Sequence, residues 1–323
     1  MPDLESVNPD HNGFDMTRNP PRLAFLYPLL AMAIWAGNVI VSRRAAHTIG
    51  PEAITFYRLL LATLLMSLFV ARPAWRNRAV IFAHLGQFFV LGFLAMCLFQ
   101  CLSYLAAETT SATNMAVFTA LTPLLTAAFG AALLGERPTV GILGGGLLSL
   151  LGLIWLVSEG APLAILRNGI HLGDGLMFLA ALAYALYGVL LKRWSLPVSS
   201  WQSTYLQALC ALIIMFPALL ATPPEQRALN AATLPLIAYA GGLASVLLPY
   251  FWVRGIALLG PARAAIFINL LPVMTALAAI VFLGEPVRSW HLIGGGAALA
   301  GVIAAQLLRQ PLGKQPRETG QTA

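Results

Sequence analysis

Apolar residues occur along this chain in ten long stretches, separated by charged residues, glycine or proline. The stretches cover approximately residues 23–42, 53–71, 80–106, 112–134, 139–157, 172–191, 199–221, 231–258, 262–284 and 289–308. Each has about the 20 residues, or more, that an α-helix needs to cross roughly 30 Å of hydrocarbon. Only Glu108 and the polar cluster at 109–111 interrupt the pattern between the third and fourth stretches, where we expect a turn. The pattern predicts an all-α membrane protein with ten transmembrane helices.

The composition argues against a soluble protein. Hydrophobic residues make up 59% of the 323 residues and charged residues only 10%, whereas charged residues are about 25% of a typical soluble domain. The connections between stretches are short, so no separate soluble domain fits among them. The first stretch is too long for a signal-peptide core, so we expect it to remain as helix 1, with translation starting at Met1 or Met16.

Basic residues are distributed unequally between the two sides of the predicted bundle. With ten helices both termini lie on one side, and that side holds thirteen of the 19 Lys and Arg residues, including Lys192 and Arg193. The opposite side holds five, including Arg43 and Arg44, and Arg58 lies alone inside helix 2. Because basic loops are retained in the cytoplasm, this distribution predicts a bacterial inner-membrane protein with both termini cytoplasmic.

Shifting the chain on itself by 149 residues reveals an internal repeat. The shift superposes Leu121, Pro123, Thr126, Ala127, Leu134, Gly135 and Glu136 on Leu270, Pro272, Thr275, Ala276, Leu283, Gly284 and Glu285, and it also superposes Trp35 on Tyr184 and Arg43-Arg44 on Lys192-Arg193. Each half has five helices, and since five is odd, the second half must enter the membrane from the opposite side. Inverted repeats occur in secondary transporters, whose substrate site lies between the halves near the midplane.

Several short motifs resemble a known family. They are Ile34-Trp35-Ala36-Gly37-Asn38, Phe56-Tyr57-Arg58, Leu121-Thr122-Pro123 and Leu134-Gly135-Glu136 in the first half, and Tyr184-Ala185-Leu186-Tyr187, Leu271-Pro272 and Leu283-Gly284-Glu285 in the second. In order and spacing they resemble the drug/metabolite transporter superfamily, in its ten-helix branch with paired EamA domains. The resemblance implies a basket-like bundle whose central cavity is lined by helices 1, 3, 4, 6, 8 and 9, and export of amino acids, related metabolites or drugs.

The repeat and the resemblance together divide the chain into five parts. We expect a polar cytoplasmic tail at 1–22, a first EamA-like repeat at 23–157, a periplasmic connector at 158–171, a second EamA-like repeat at 172–308 and a basic cytoplasmic tail at 309–323. The resemblance covers the two repeats and therefore nearly the whole chain.

Polar and aromatic side chains inside the helices are the candidates for substrate binding. The candidates are Trp35, Asn38, Tyr104, Asn114, Tyr184, Tyr187, Tyr250 and Asn269, with Trp252 as a further aromatic. An amide in hydrocarbon is costly unless it is hydrogen-bonded, so the asparagines either join helices or line a pore. The aromatic residues either form an amphipathic cavity wall or pack in the core and at the membrane interface.

Pro123 and Pro272 lie inside helices 4 and 9 at equivalent positions. A proline within a helix removes a backbone donor and leaves a carbonyl group for a neighbouring side chain, water or a ligand. We therefore expect a kink at each site, with a gating role or with only an influence on the shape of the bundle.

Three charged residues of the helices and turns are assigned mainly structural roles. Glu136 and Glu285 follow a glycine at the ends of helices 4 and 9, where each would stabilise the following turn and complement the dipole of the next helix. Arg58 either extends its long side chain to the outer membrane face or binds a substrate carboxylate.

Small residues of helices 5 and 10 permit close contact between these two helices, either within one chain or across a homodimer.

These observations favour a transporter over other classes of protein. The sequence contains no His-Glu-x-x-His or Gly-x-Ser-x-Gly motif and no cluster of metal-binding residues, so we expect neither enzymatic activity nor a cofactor or metal. We expect contact with lipid and a small-molecule substrate, and no nucleic acid. The sequence predicts export of a small amphipathic metabolite by alternating access, with uptake, a channel or a scaffold as alternatives.

Overall fold

The computed structural model describes residues 22–45, 48–110, 112–163, 171–274, 277 and 287–310. The predictions for Glu285, and for the side chains of Arg43, Arg44, Tyr104 and Asn114, lie outside the described residues.

The described residues form ten helices, several of them divided into segments. In the first half, α1 is Leu26–Ala45 after a 3₁₀ turn at Arg22–Phe25, α2 is Pro51–Arg76, α3 comprises Arg78–Ala83, Leu85–Gly92, Phe93–Leu98 and Phe99–Thr109, α4 comprises Ala112–Thr119 and Thr122–Leu134, and α5 comprises Gly141–Gly145 and Gly146–Val157. In the second half, α6 is Leu172–Trp194, α7 is Ser200–Ala221, α8 comprises Thr233–Ala238, Tyr239–Leu247 and Leu248–Leu259, α9 begins with Pro261–Ala265 and Ile266–Leu270, and α10 is Ser289–Leu307.

These helices are suited to a membrane. Seven are long and apolar enough to cross a bilayer, and the described parts of α1, α5 and α9 form three shorter apolar helices. Large apolar side chains such as Leu68, Leu151 and Leu292 are exposed on the outside of the bundle, where lipid would cover them. The predicted all-α bundle of about ten transmembrane helices is confirmed.

Local sequence explains where helices begin and end. Ser199 caps α7 by accepting a hydrogen bond from the backbone N–H of Gln202, whose side chain in turn accepts one from the backbone N–H of Ser199. Gly135 ends α4 in the left-handed conformation, with φ of 67°, and the next N–H donates back to the carbonyl of Gly130. Glycine is favoured there because it has no Cβ to clash.

The two halves have opposite orientations, as the contacts between equivalent helices show. In the α5–α10 pair, a Cβ added to Gly145 would lie 2.4 Å from the carbonyl oxygen of Gly301, and one added to Gly152 would lie 2.7 Å from that of Gly294. As numbers rise in α5 they fall in α10, so the two helices are antiparallel. The α2–α7 pair behaves likewise, because Phe56 meets Phe216 and Ser67 meets Tyr205. Equivalent helices of inverted repeats must run this way.

The glycine faces of α5 and α10 are therefore used inside one chain. Their backbones approach too closely for a side chain at Gly145, Gly152, Gly294 or Gly301. A homodimer through these helices stays a prediction, and it would have to use their outer, leucine-rich sides.

Helix packing between the halves follows the repeat, because each contact has an equivalent contact in which the two halves are exchanged. Helix α1 packs on α8 and its equivalent α6 packs on α3, while α2 packs on α8 and its equivalent α7 packs on α3. The largest hydrophobic cluster contains residues of both halves, from Met32 and Leu91 to Ile256 and Val302. The halves thus share one core, and any movement of one half against the other rearranges that core.

Candidate substrate cavity

A narrow cavity of about 70 Å³ lies between the two halves. Its walls come from α1, α2, α3, α6 and α8 and are formed by Trp35, Asn38, Thr55, Arg58, Leu59, Ala95, Met96, Phe99, Gln100, Tyr184, Tyr187, Ala244, Ser245, Leu248, Pro249 and Trp252. Trp35 and Tyr184 lie near the middle of α1 and α6, which places the cavity at mid-depth. It extends toward the end of the bundle where α2 begins.

The set of lining helices differs from the set that the family resemblance implied. Helices 1, 3, 6 and 8 line the cavity as expected, but no described residue of α4 or α9 does so, and α2 contributes three residues. The described start of α9 lies instead in the core, where Ile266 and Phe267 are buried and Phe267 packs on Phe25. These residues fill the bundle on the side away from the start of α2, so the cavity is closed there.

Aromatic rings form one continuous wall of the cavity. Tyr184 lies at its centre, with ring centroids 4.8 Å from Phe99, 5.6 Å from Tyr187 and 5.8 Å from both Trp35 and Trp252. Such a wall offers apolar faces for a ligand together with hydroxyl and indole groups that orient it. The predicted residues Trp35, Tyr184 and Tyr187 do lie together in this wall.

Another part of the cavity wall is polar and carries a charge. The Arg58 side chain is only 6% exposed. Its Nε donates to Ser245 Oγ at 2.7 Å and its Nη2 donates to the carbonyl of Ala244 at 3.3 Å. Asn38, also buried, lies on the same cavity. The alternative in which Arg58 extends to the outer membrane face is wrong, because its acceptors on α8 hold it in the interior.

The acceptors of Arg58 belong to an irregular part of α8. Residues Tyr239–Leu247 form a π-helical segment, in which Ser245 Oγ donates to the carbonyl of Ala240 five residues earlier. A π segment widens the helix and is often found at functional sites. The same irregularity occurs in α3 at Phe93–Leu98, which the 149-residue shift places on residues 242–247.

Two predicted residues lie away from the cavity. Tyr250 stacks on Trp201 with ring centroids 3.9 Å apart, because residues 245, 248, 249 and 252 occupy the cavity side of α8 and Tyr250 occupies another. Asn269 is 0% exposed in the 3₁₀ segment of α9, and its amide meets no partner among the described residues. Neither side chain contributes to the cavity walls in this conformation.

Both prolines follow an irregular part of their helices, and the kinks themselves stay a prediction. In α4 the break at residues 120–121 precedes Pro123, and the Thr119 carbonyl accepts a hydrogen bond from Thr122 Oγ1 at 2.6 Å. In α9 the 3₁₀ segment precedes Pro272, and the Ile268 carbonyl accepts one from the Leu271 N–H. The carbonyl groups released by proline thus have donors within their own helices, and a gating role remains a prediction.

Charged residues join the halves at the closed end. Glu136, just after α4, forms an ion pair with Lys192 at the end of α6. Beside it, Arg193 Nη1 donates to the carbonyl of Leu133 at 3.1 Å. Glu136 therefore connects the two halves as well as following the turn at the end of α4. The equivalent residues Arg43 and Glu285 lie outside the described side chains.

Sequence reasoning missed Thr55, Gln100 and Ser245 as cavity residues. None has an unusual motif, since polar residues of this size occur in many membrane helices. Ser245 is equivalent to Met96 and Gln100 to Pro249, and all four line the cavity, so the repeat would identify one member of each pair once the other is known.

Comparison with known proteins supports the same interpretation. The sequence model of the EamA-like transporter family matches residues 22–158 and again residues 171–305. The chain is 26% identical over 288 residues to the uncharacterized transporter YyaM of Bacillus subtilis, covering 86% of this chain and 92% of YyaM. It is 28% identical over 280 residues to an uncharacterized transporter of Archaeoglobus fulgidus, covering 84% and 93% of the two chains.

A crystal structure with 17% sequence identity shares the fold, with a TM-score of 0.71 over 88% of this chain and 97% of the other. Inverted halves, a shared cavity and these relatives define a multi-pass membrane transport protein rather than an enzyme. The chain belongs to the EamA-like transporter family, which the family model matches in both halves.

Proposed function

We propose that this protein is a secondary transporter that exports a small amphipathic metabolite, such as an amino acid, across a bacterial inner membrane by alternating access. The observation that carries the proposal is the mid-depth cavity between two inverted halves, to which equivalent helices of both halves contribute. In such proteins, exchanging the conformations of the halves moves access from one side of the membrane to the other.

The chemistry of the walls supports an amphipathic substrate. Arg58 is the one formally charged side chain among the described cavity residues, and it lines the same cavity as the aromatic wall centred on Tyr184. A carboxylate suits the guanidinium group, and an apolar or aromatic body suits the rings. We therefore favour substrates that combine a carboxylate with a hydrophobic part.

The present conformation is narrower than a loaded site. Pockets for drug-sized ligands measure roughly 300–1,000 Å³, and this cavity measures about 70 Å³. Binding must widen it, which is compatible with a conformational cycle rather than a fixed open pore.

The cavity residues bear on the energy source of transport, and the distribution of basic residues bears on the location of the protein. The described cavity walls contain no Asp, Glu or His, so we favour exchange or facilitated diffusion over proton antiport. The excess of Lys and Arg on the terminus side supports cytoplasmic termini and an inner-membrane location. Uptake by the same cavity is the alternative, because gradients decide the direction.

The test combines cells and vesicles. Overexpression should protect cells against toxic amino-acid analogues, and purified protein in liposomes should show saturable counterflow of the same compounds. Trp35→Ala should abolish the protection, whereas Trp155→Ala, on the outer part of α5, should not. Unsaturable flux would indicate a channel, and equal behaviour of vector and protein in both assays would rule out the proposal.

A further inference from the structure

The cavity walls follow the repeat symmetry in α1 with α6 and in most of α3 with α8, where Trp252 lines the cavity and its equivalent Ser103 does not. The symmetry breaks down for α2 with α7. Equivalent lining residues are Trp35 and Tyr184, Asn38 and Tyr187, Ala95 and Ala244, Met96 and Ser245, Phe99 and Leu248, and Gln100 and Pro249. Helix α2 adds Thr55, Arg58 and Leu59, but the equivalent residues of α7 do not line the cavity.

Those α7 residues are Thr204, Gln207 and Ala208, and all three are 0% exposed. Thr204 Oγ1 has no hydrogen-bond partner among the described residues, and no described donor meets Gln207 Oε1 at normal geometry. The Nε2 atom of the same Gln207 amide donates to Ser203 Oγ at 2.9 Å. Because buried polar atoms without partners are costly, this part of α7 is poorly suited to the packed environment that it occupies here.

One side chain of the cavity wall adjoins the Gln207 amide. Tyr187 lines the cavity and lies beside the Gln207 side chain. At the equivalent place in the first half stands Asn38, which is much smaller and leaves Arg58 at the cavity wall. The difference in size between Tyr187 and Asn38 accounts for a cavity that reaches α2 and stops short of α7.

The backbones of α2 and α7 next to these residues also have corresponding contacts with glycines of the other half. A Cβ on Gly92 would lie 2.5 Å from the carbonyl oxygen of Gln207, and one on Gly241 would lie 3.1 Å from that of Arg58. Each glycine adjoins or belongs to one of the π segments. Equivalent glycines thus lie near equivalent backbone carbonyls in the two helix pairs, although the contact of Gly241 with the Arg58 carbonyl is the longer one.

We propose that Thr204 and Gln207 are a second, latent part of the substrate site, which lines the cavity in the alternate conformation in place of Thr55 and Arg58. The inference rests on the proposed alternating access. A substrate carboxylate would meet a guanidinium group in one conformation and a neutral amide in the other. The carboxylate is then held more weakly after the exchange, which would favour release on the side where α7 lines the cavity.

Paired cysteine accessibility tests this inference. In a background with Cys97, Cys101 and Cys210 replaced by serine, Thr55→Cys and Thr204→Cys are compared, with Ala180→Cys, which is fully buried in α6, as the control. The proteins are reconstituted in liposomes and treated with a membrane-impermeant thiol reagent. Thr55→Cys should react at least tenfold faster than Thr204→Cys in the resting protein.

A second substitution shifts the conformation without any substrate. Glu136→Gln breaks the ion pair at the closed end, so it should raise labelling of Thr204→Cys and lower that of Thr55→Cys. Loading vesicles with L-phenylalanine or 3-phenylpropionate should move the two rates in opposite directions as well. Labelling of Thr204→Cys that never exceeds the Ala180→Cys level, or that rises together with Thr55→Cys, would overturn the inference.

The two proposals fail in different ways. If the transport function is wrong, wild-type vesicles lack saturable counterflow, whatever the labelling shows. If only the latent site is wrong, counterflow proceeds while Thr204→Cys remains unreactive. Monodisperse elution of each variant in detergent establishes that labelling reports a folded protein.

Discussion

Helices α2 and α7 occupy equivalent positions in the two halves, yet one carries part of the cavity wall and the other is fully packed. Both carry a threonine at the equivalent site, Thr55 in α2 and Thr204 in α7. A glycine from the other half packs against each helix, Gly241 against α2 and Gly92 against α7. They differ in the cavity residue at one equivalent position. Tyr187 lies beside Gln207 of α7, whereas the smaller Asn38 occupies that position in the first half. The comparison shows that two similar halves become unequal through a few side chains, such as Asn38 and Tyr187.

Removing the charge from the α2 wall should have the largest effect on transport. Arg58→Leu eliminates two hydrogen bonds from a charged group, each worth about 1.5–3 kcal/mol, and leaves Ser245 without its donor. We expect counterflow of 3-phenylpropionate to fall roughly 100-fold or more, since about 1.4 kcal/mol corresponds to tenfold.

Arg58→Lys is the matched variant, because it keeps the charge but not the two-pronged geometry, and it should retain roughly a tenth of the activity. Equal counterflow rates for Arg58→Leu and wild type would show that α2 is no more functional than α7.

Substituting the glycines that contact α7 and α2 tests how each contact affects the stability of the protein. Gly92→Ala places a Cβ 2.5 Å from a backbone oxygen, whereas the Cβ of Gly241→Ala meets mainly the Leu61 side chain at 2.9 Å. Backbone cannot yield as a side chain can, so we expect Gly92→Ala to be the more destabilising, by about 1–3 kcal/mol.

Thermal unfolding in detergent measures the difference, with Gly242→Ala as the control because its Cβ would enter open space. A loss of stability in Gly242→Ala as large as that in Gly92→Ala would contradict the steric explanation.

The ion pair at the closed end should have a smaller effect. The side chains of Glu136 and Lys192 are partly buried and lie on different halves, so Lys192→Glu should repel Glu136 and favour opening. We expect a change of roughly two- to fivefold in counterflow rate, in line with about 0.2–1 kcal/mol for exposed pairs.

The exchanged double variant Glu136→Lys with Lys192→Glu restores the attraction and should return the rate toward that of wild type. No recovery in the double variant would mean that the residues act separately.

Substitution outside the cavity should have the smallest effect. Tyr250→Phe keeps the stacking on Trp201 and removes a hydroxyl group that does not line the cavity. We expect KM for counterflow to remain within about twofold of wild type, whereas Tyr187→Phe should change it more. A large rise in KM for Tyr250→Phe would place that residue at the substrate after all.

The sequence alone determined the number of helices, their inverted halves and the family. Helix length follows from hydrocarbon thickness, and orientation follows from an odd number of crossings, so neither needs knowledge of packing. Its candidates Trp35 and Tyr184, at equivalent positions of α1 and α6, lie together with Tyr187 in one cavity wall, and their binding of substrate stays a prediction.

Only the tertiary structure decided which sides of the helices meet. Arg58 is buried because Ser245 and Ala244 on α8 accept its hydrogen bonds, and Tyr250 is removed from the cavity because it stacks on Trp201. Such partners lie on helices far apart in sequence, where apolar residues occur on every side and no periodicity marks the inner one. The choice of cavity wall therefore depends on side-chain volumes across the interface between the halves, such as those of Asn38 and Tyr187.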